Sequence, residues 1–71
     1  MLKRERFINK LRELSYSFKK ETQNTYAYRK GTHWVFVPKA DLVSETWARA
    51  TLGTCGCQAN EIEEFIRIAR L

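Results

Sequence analysis

Tyr26-Ala-Tyr-Arg-Lys-Gly-Thr-His-Trp-Val-Phe-Val-Pro38 is the stretch on which the fold turns. Tyr26 to Tyr28 and Trp34 to Val37 are rich in the aromatic and β-branched residues that fill a half-buried pleated surface, and Lys30-Gly31 between them supplies a turn. The pattern predicts a β-hairpin. It sets the only histidine of the chain, His33, at the start of the second strand, just past a basic turn, where a polar side chain can reach solvent or a ligand. Along that strand Trp34 and Phe36 share one face, and His33, Val35 and Val37 share the other. The sequence leaves open which of the two the helices cover.

Upstream of the hairpin, Tyr16 and Phe18 alternate with Ser17 and Lys19, and a first strand is expected from about Ser17 to Thr22. Gln23-Asn24 links it to the strand Thr25 to Arg29, and asparagine tolerates the left-handed backbone that a tight hairpin loop requires. The result is a three-stranded antiparallel meander that closes at Pro38, which has no amide to donate. Before it, Phe7, Ile8, Leu11 and Leu14 fall at helical spacing from Lys3 to Leu14, with Lys3, Arg4, Arg6, Lys10 and Arg12 on the outer face. After it, a helix is expected from Ser44, as N-cap, to Thr51, with Val43, Trp47 and Ala50 on one side and Gly53-Thr-Cys-Gly56 breaking it. A last helix follows, with Asn60 as cap, Glu63 closing a capping box, and Ile62, Phe65, Ile66 and Ala69 as its buried stripe. The fold class is α+β, with helices packed on one face of a three-stranded meander and the other face or a rim left free for work.

Seventy-one residues make one small domain, without room for a second or for a deep cofactor cleft. The formal charge of +5 is uneven: residues 1 to 40 hold ten Lys/Arg against three acids, and residues 41 to 71 hold three against five, for net charges of +7 and −2. That polarity suits a first half that meets a polyanion such as RNA, DNA or an acidic protein, and a second half that builds scaffold. No apolar run approaches the roughly 18 residues needed to cross a bilayer, and the basic start lacks a signal-peptide core, so a cytoplasmic protein without membrane contact is expected. Cys55 and Cys57 are separated only by Gly56, too close for an ordinary disulfide staple, and they lack a second pair at metal spacing. Reduced thiols, no metal and no cofactor are the expectation.

Lys30-Gly-Thr-His33, following a basic amphipathic helix and leading into a strand that ends in Val37-Pro38, resembles the HicA family of bacterial toxins. In that family a Lys-Gly-Ser-His-like turn opens a strand, and a Val-Pro step precedes the closing helices. The resemblance extends over most of the chain, through the opening helix Arg4-Glu-Arg-Phe-Ile8 and the glutamate-rich helix after Gly56. It implies an α-β-β-β-α fold similar to double-stranded-RNA-binding domains, cleavage of messenger RNA, and neutralisation by a HicB-type antitoxin. It also implies that His33 is the catalytic residue. Thr32 stands where serine is usual and keeps the hydroxyl, Trp34 stands where another histidine or a polar residue often follows, and the segment from His33 to Pro38 is shorter than in many members.

Cleavage of RNA without a metal needs a base for the ribose 2′-hydroxyl, an acid for the leaving 5′-oxygen and positive charge near the phosphate. His33 fits the first role, because imidazole is the side chain whose ordinary pKa lies near neutrality. Arg29 and Lys30 can hold the phosphate, with Gly31 admitting a close approach of backbone amides and Thr32 beside them. No second histidine is present, so His33 acts twice or the leaving group departs without a strong acid, and a slow enzyme is expected. Lys19, Lys20 and Lys39 are further candidates for phosphate contact, and Tyr28 and Trp34 for stacking on unpaired bases. Beside these stand plainer readings: a strand-end histidine bonded to a carbonyl, a solvated basic turn and core aromatics. Two other functions fit the same residues, a non-catalytic RNA-binding module and a basic domain that docks an acidic protein.

Overall fold

The computed structural model describes residues Met1–Leu71. Its elements run β1 (Leu2–Lys3), α1 (Arg4–Glu13), β2 (Ser17–Glu21), β3 (Thr25–Lys30), β4 (His33–Pro38), β5 (Leu42–Val43), α2 (Glu45–Thr54) and α3 (Ala59–Ala69). The three long strands form an antiparallel sheet in the order β2-β3-β4. The fold is therefore α+β, a three-stranded meander with helices, and the hairpin read from the sequence is its centre.

Cross-strand partners settle the question of faces. Tyr28 pairs with Val35 and Tyr26 with Val37, and these residues join the core with Phe7 and Leu11 of α1, Ala48 and Leu52 of α2, and Ile62, Ile66 and Ala69 of α3 or pack against it. Helices thus cover the side of β4 that carries His33, Val35 and Val37. Each fully buried large side chain, such as Phe7, Leu11, Leu52 or Ile66, contributes roughly 1.5–3 kcal/mol through the apolar area it removes from water. Phe7 is also the aromatic junction of the helices: its ring lies 4.7 Å from Trp47 and 6.3 Å from Phe65, centroid to centroid.

Several boundaries depart from the sequence reading. The N-terminus forms a two-residue strand, β1, paired antiparallel with β5, which buries Leu2 against Val43; neither strand was expected. Arg4 donates to the Lys39 carbonyl and lies 5.2 Å from the Tyr26 ring centroid, so it belongs to the scaffold more than to a free basic face. The loop between β2 and β3 does not use a left-handed Asn24; the only non-glycine residue with positive φ is Ser15. Threonine hydroxyls close it instead, with Thr22 Oγ1 2.6 Å from Thr25 Oγ1 and accepting from the Thr25 amide at 3.0 Å.

The two closing helices also shift. Ser44 does cap α2, its Oγ accepting from the Trp47 amide at 3.0 Å. The helix continues through Gly53 to Thr54, however, and its buried face is Ala48 and Leu52 while Ala50 is exposed. An exposed glycine costs a helix only about 1 kcal/mol, so Gly53 does not stop it. The cap of α3 is Gln58 in place of Asn60, and the Glu61 carboxylate, not Glu63, accepts from the capping residue's amide at 3.3 Å. No helix is long and apolar enough to cross a membrane.

Candidate functional site

His33 opens β4 directly opposite Lys30, the last residue of β3. The turn is Gly31-Thr32, one residue later than the sequence reading placed it, and only Gly31 is left-handed, with φ +59°. A positive φ at the first of two turn residues is the pattern of a type II′ hairpin, whose twist matches the flanking strands. Space does not demand a glycine there, because nothing lies within 4 Å of where a Cβ would be; the backbone conformation does.

The partner that holds His33 comes from the end of α1. Leu14 caps that helix, Ser15 adopts φ +73°, the Ser15 amide donates to the Arg12 carbonyl at 3.0 Å, and the Tyr16 amide reaches back to the Leu11 carbonyl at 2.9 Å. This is a Schellman cap with a serine in the position that glycine usually takes. Its geometry turns Tyr16 inward, where it is 5% exposed and its Oη lies 2.7 Å from His33 Nδ1. The two rings meet edge to face, 5.8 Å apart.

A second Schellman cap at the end of α2 completes the cluster. Gly56, at φ +89°, donates to Gly53, and Cys57 donates to Leu52, each at 3.1 Å. The half-buried Cys55 and Cys57 are thereby placed near Tyr16, both as free thiols. Burial first, then the neighbouring Cys55 and Cys57 thiols, push the Tyr16 hydroxyl up to about 12. Burial, followed by the nearby Glu61 carboxylate, also raises Cys57 above the ordinary thiol value. At neutral pH Tyr16 is thus a neutral phenol and Cys57 a neutral thiol. Tyr16 was not singled out from the sequence as a site residue; a tyrosine directly after a helix C-terminus carries no signal that it will meet a histidine 17 positions on.

The remaining candidates are divided between the two sides of the sheet. Lys30, across from His33, lies with its Nζ 6.0 Å from the centre of the Tyr16 ring. Gly31 and Thr32 are exposed at the tip beside it. Arg29 pairs with Trp34 on the opposite face, its guanidinium 5.4 Å from the indole, and Lys20 approaches the same ring at 5.7 Å. Lys19 is exposed at a bulge that interrupts the β2-β3 ladder. Two more candidates are likewise not brought to His33. Tyr28 is 4% exposed within the core, so no base can stack on it. Lys39 follows the far end of β4, about 20 Å along the strand, and is tied to Glu21 at 2.5 Å.

The cations themselves differ by region. Of the ten Lys/Arg in residues 1 to 40, only Arg4 and Lys39 form ion pairs, leaving Lys3, Arg6, Lys10, Arg12, Lys19, Lys20, Arg29 and Lys30 without an acidic partner. In residues 41 to 71, Arg49, Arg67 and Arg70 are all paired, to Glu63, Glu64 and Glu45. No group of three or more His, Cys, Asp or Glu side chains is arranged to hold a metal ion. Comparison of the chain with protein-family models, curated proteins and solved structures finds no match.

Proposed function

We propose that this protein is a small RNA-binding endoribonuclease of the HicA type, the toxin of a toxin–antitoxin pair, built on a scaffold like that of double-stranded-RNA-binding domains. The observation that carries this reading is the 2.7 Å hydrogen bond between Tyr16 Oη and His33 Nδ1, at a rim beside the unpaired Lys30. When Nδ1 bears the proton and donates to Tyr16, the Nε2 lone pair is free to take the proton of a ribose 2′-hydroxyl. The phenol is itself neutral and lies close to the Cys55 thiol. Tyr16 acts through His33, as a positioning residue.

The activated 2′-oxygen attacks the adjacent phosphorus, and the 5′-oxygen leaves. Protonated His33 returns its proton to the departing oxygen, so the products are a 2′,3′-cyclic phosphate and a free 5′-hydroxyl. Lys30 and the amides of the exposed Gly31-Thr32 turn supply positive potential to the phosphate as charge accumulates. Using one histidine for both transfers costs rate, because the acid must reach the leaving group from the base's position. The natural antagonist is an acidic antitoxin of the HicB type seated over this rim.

Expression of the chain alone is expected to slow bacterial growth, and His33→Ala to relieve it while the circular dichroism spectrum stays that of the parent. Equal toxicity of the folded variant contradicts the assignment. A second reading is favoured by the eight unpaired cations, which need no chemistry to bind RNA. RNA binding that survives His33→Ala, together with absence of cleavage by the parent, selects that non-catalytic module.

A further inference from the structure

Two rows of side chains cross the face of the sheet turned away from the core, and at its β4 edge Trp34 and Phe36 line a shallow groove with Trp47, Ala50, Thr51 and Thr54 of α2. One contains Arg29 and Trp34 as direct partners, and the next contains Lys20, Ala27 and Phe36. Of these only Ala27 is buried, at 0% exposure, and none belongs to the cluster packed between sheet and helices. Trp34 and Phe36 are 38% and 49% exposed, and their rings lie parallel within 9°, with centroids 5.9 Å apart. An exposed, parallel aromatic pair on a strand whose partner rows carry cations is unusual for a surface with no occupant, since large apolar groups are normally withdrawn from water.

We propose that this open face is a binding platform for single-stranded nucleic acid, with Trp34 and Phe36 stacking on successive bases and Arg29 and Lys20 contacting the flanking phosphates. Charge complementarity decides the occupant. Neither Arg29 nor Lys20 has an acidic partner, and neither row contains a carboxylate. A second copy of the chain docking here about a two-fold axis would oppose these cations to their own equivalents, with nothing to compensate them. Aromatic faces set among unpaired cations are, by contrast, the combination that takes any unpaired base together with its phosphates. Arg29 and Lys20 lie over the Trp34 ring, 5.4 and 5.7 Å from its centroid, so a base that stacks there displaces the two cations toward its flanking phosphates.

The platform goes beyond the cleavage assignment and does not depend on it, because Trp34 and His33 project from opposite sides of β4. The two sites are nevertheless adjacent. As β4 is an outer strand of the sheet, a bound strand can pass over its edge and the Gly31-Thr32 turn from one to the other.

Fluorescence anisotropy with a labelled 2′-O-methyl oligoribonucleotide of about eight nucleotides tests the platform alone, since the blocked 2′-oxygen cannot be cleaved. The parent binds; Trp34→Ala raises Kd roughly ten-fold or more, while Trp34→Phe stays within about three-fold. Circular dichroism at the assay temperature is expected to show Trp34→Ala folded, so that loss is one of contact. Failure of the parent to bind, or equal affinity of a folded Trp34→Ala, overturns the platform. So does a parent dimer that Trp34→Ala dissociates and that shows no oligonucleotide affinity. Growth inhibition that depends on His33 is unaffected by any of these results, so the two assignments fail separately.

Discussion

Adjacent residues of β4 meet opposite fates. Val35 and Val37 are 3% and 0% exposed beneath the helices, while Trp34 and Phe36, between and beside them, are 38% and 49% exposed. The cations divide in a similar way, those of the second half tied to glutamates and most of those of the first half free. One face of the sheet thus holds the protein together, and the other carries half-exposed aromatic rings and cations that have no acidic partner. His33 sits where the two meet, on the covered side but at the end of the strand, anchored by a buried tyrosine.

The largest test of this contrast is Val37→Asp. It places an unpaired carboxylate in the core, at a cost of at least roughly 4 kcal/mol in a domain of marginal size. The variant is expected to be unfolded at 25 °C by circular dichroism; a cooperative thermal transition near that of the parent contradicts the assignment of faces.

Next in size is the alkaline response at the rim. Tyr16 is an acid whose folded-state pKa of about 12 exceeds its ordinary value of 10.0. The folded state holds the proton more tightly, so this contribution is complete below pH 10 and is lost as pH rises from about 10 to 12. It is on the order of 2–3 kcal/mol. Denaturant midpoints of the parent should fall more steeply across that window than those of Tyr16→Phe. Parallel curves would remove Tyr16 from the buried network.

Ser15→Gly probes how the rim is built. The left-handed backbone costs a serine about 1 kcal/mol relative to glycine, so the substitution should raise stability by roughly 0.5–1 kcal/mol. Destabilisation would mean that the Ser15 side chain is needed at this cap. Phe36→Ala, one residue from the unfolding Val37→Asp, should change stability least, by about 0.5 kcal/mol or less. A loss of more than about 2 kcal/mol would show that the open face is structural after all.

Much of the scaffold is readable in the sequence because its signals are periodic. The alternation through Tyr26 to Val37, the helical spacing of Phe7, Leu11 and Leu14, and Ser44 before a helix each state a local preference that the fold keeps. The faces are not readable, because aromatic or branched residues stand on both: Trp34 and Phe36 on one, Tyr28, Val35 and Val37 on the other. Two-residue strands such as Leu2–Lys3 have no period to detect. The cap of α3 is ambiguous because Gln58 and Asn60 each precede a glutamate by three residues. The site is legible only in part: His33 and its basic turn stand out by residue type, whereas Tyr16, Cys55 and Cys57 reach the site only through two helix caps and the packing of α1 and α2 against the sheet.

The central claim is that His33 cleaves RNA through its 2′-hydroxyl, and analysis of the ends of cleaved RNA tests it most directly. Purified protein incubated with an unstructured RNA should leave 2′,3′-cyclic phosphate and 5′-hydroxyl termini. His33→Ala should lose at least about a hundred-fold in rate, and Tyr16→Phe a smaller factor. Products carrying a 3′-hydroxyl and a 5′-phosphate, or undiminished cleavage by a folded His33→Ala, would contradict the account.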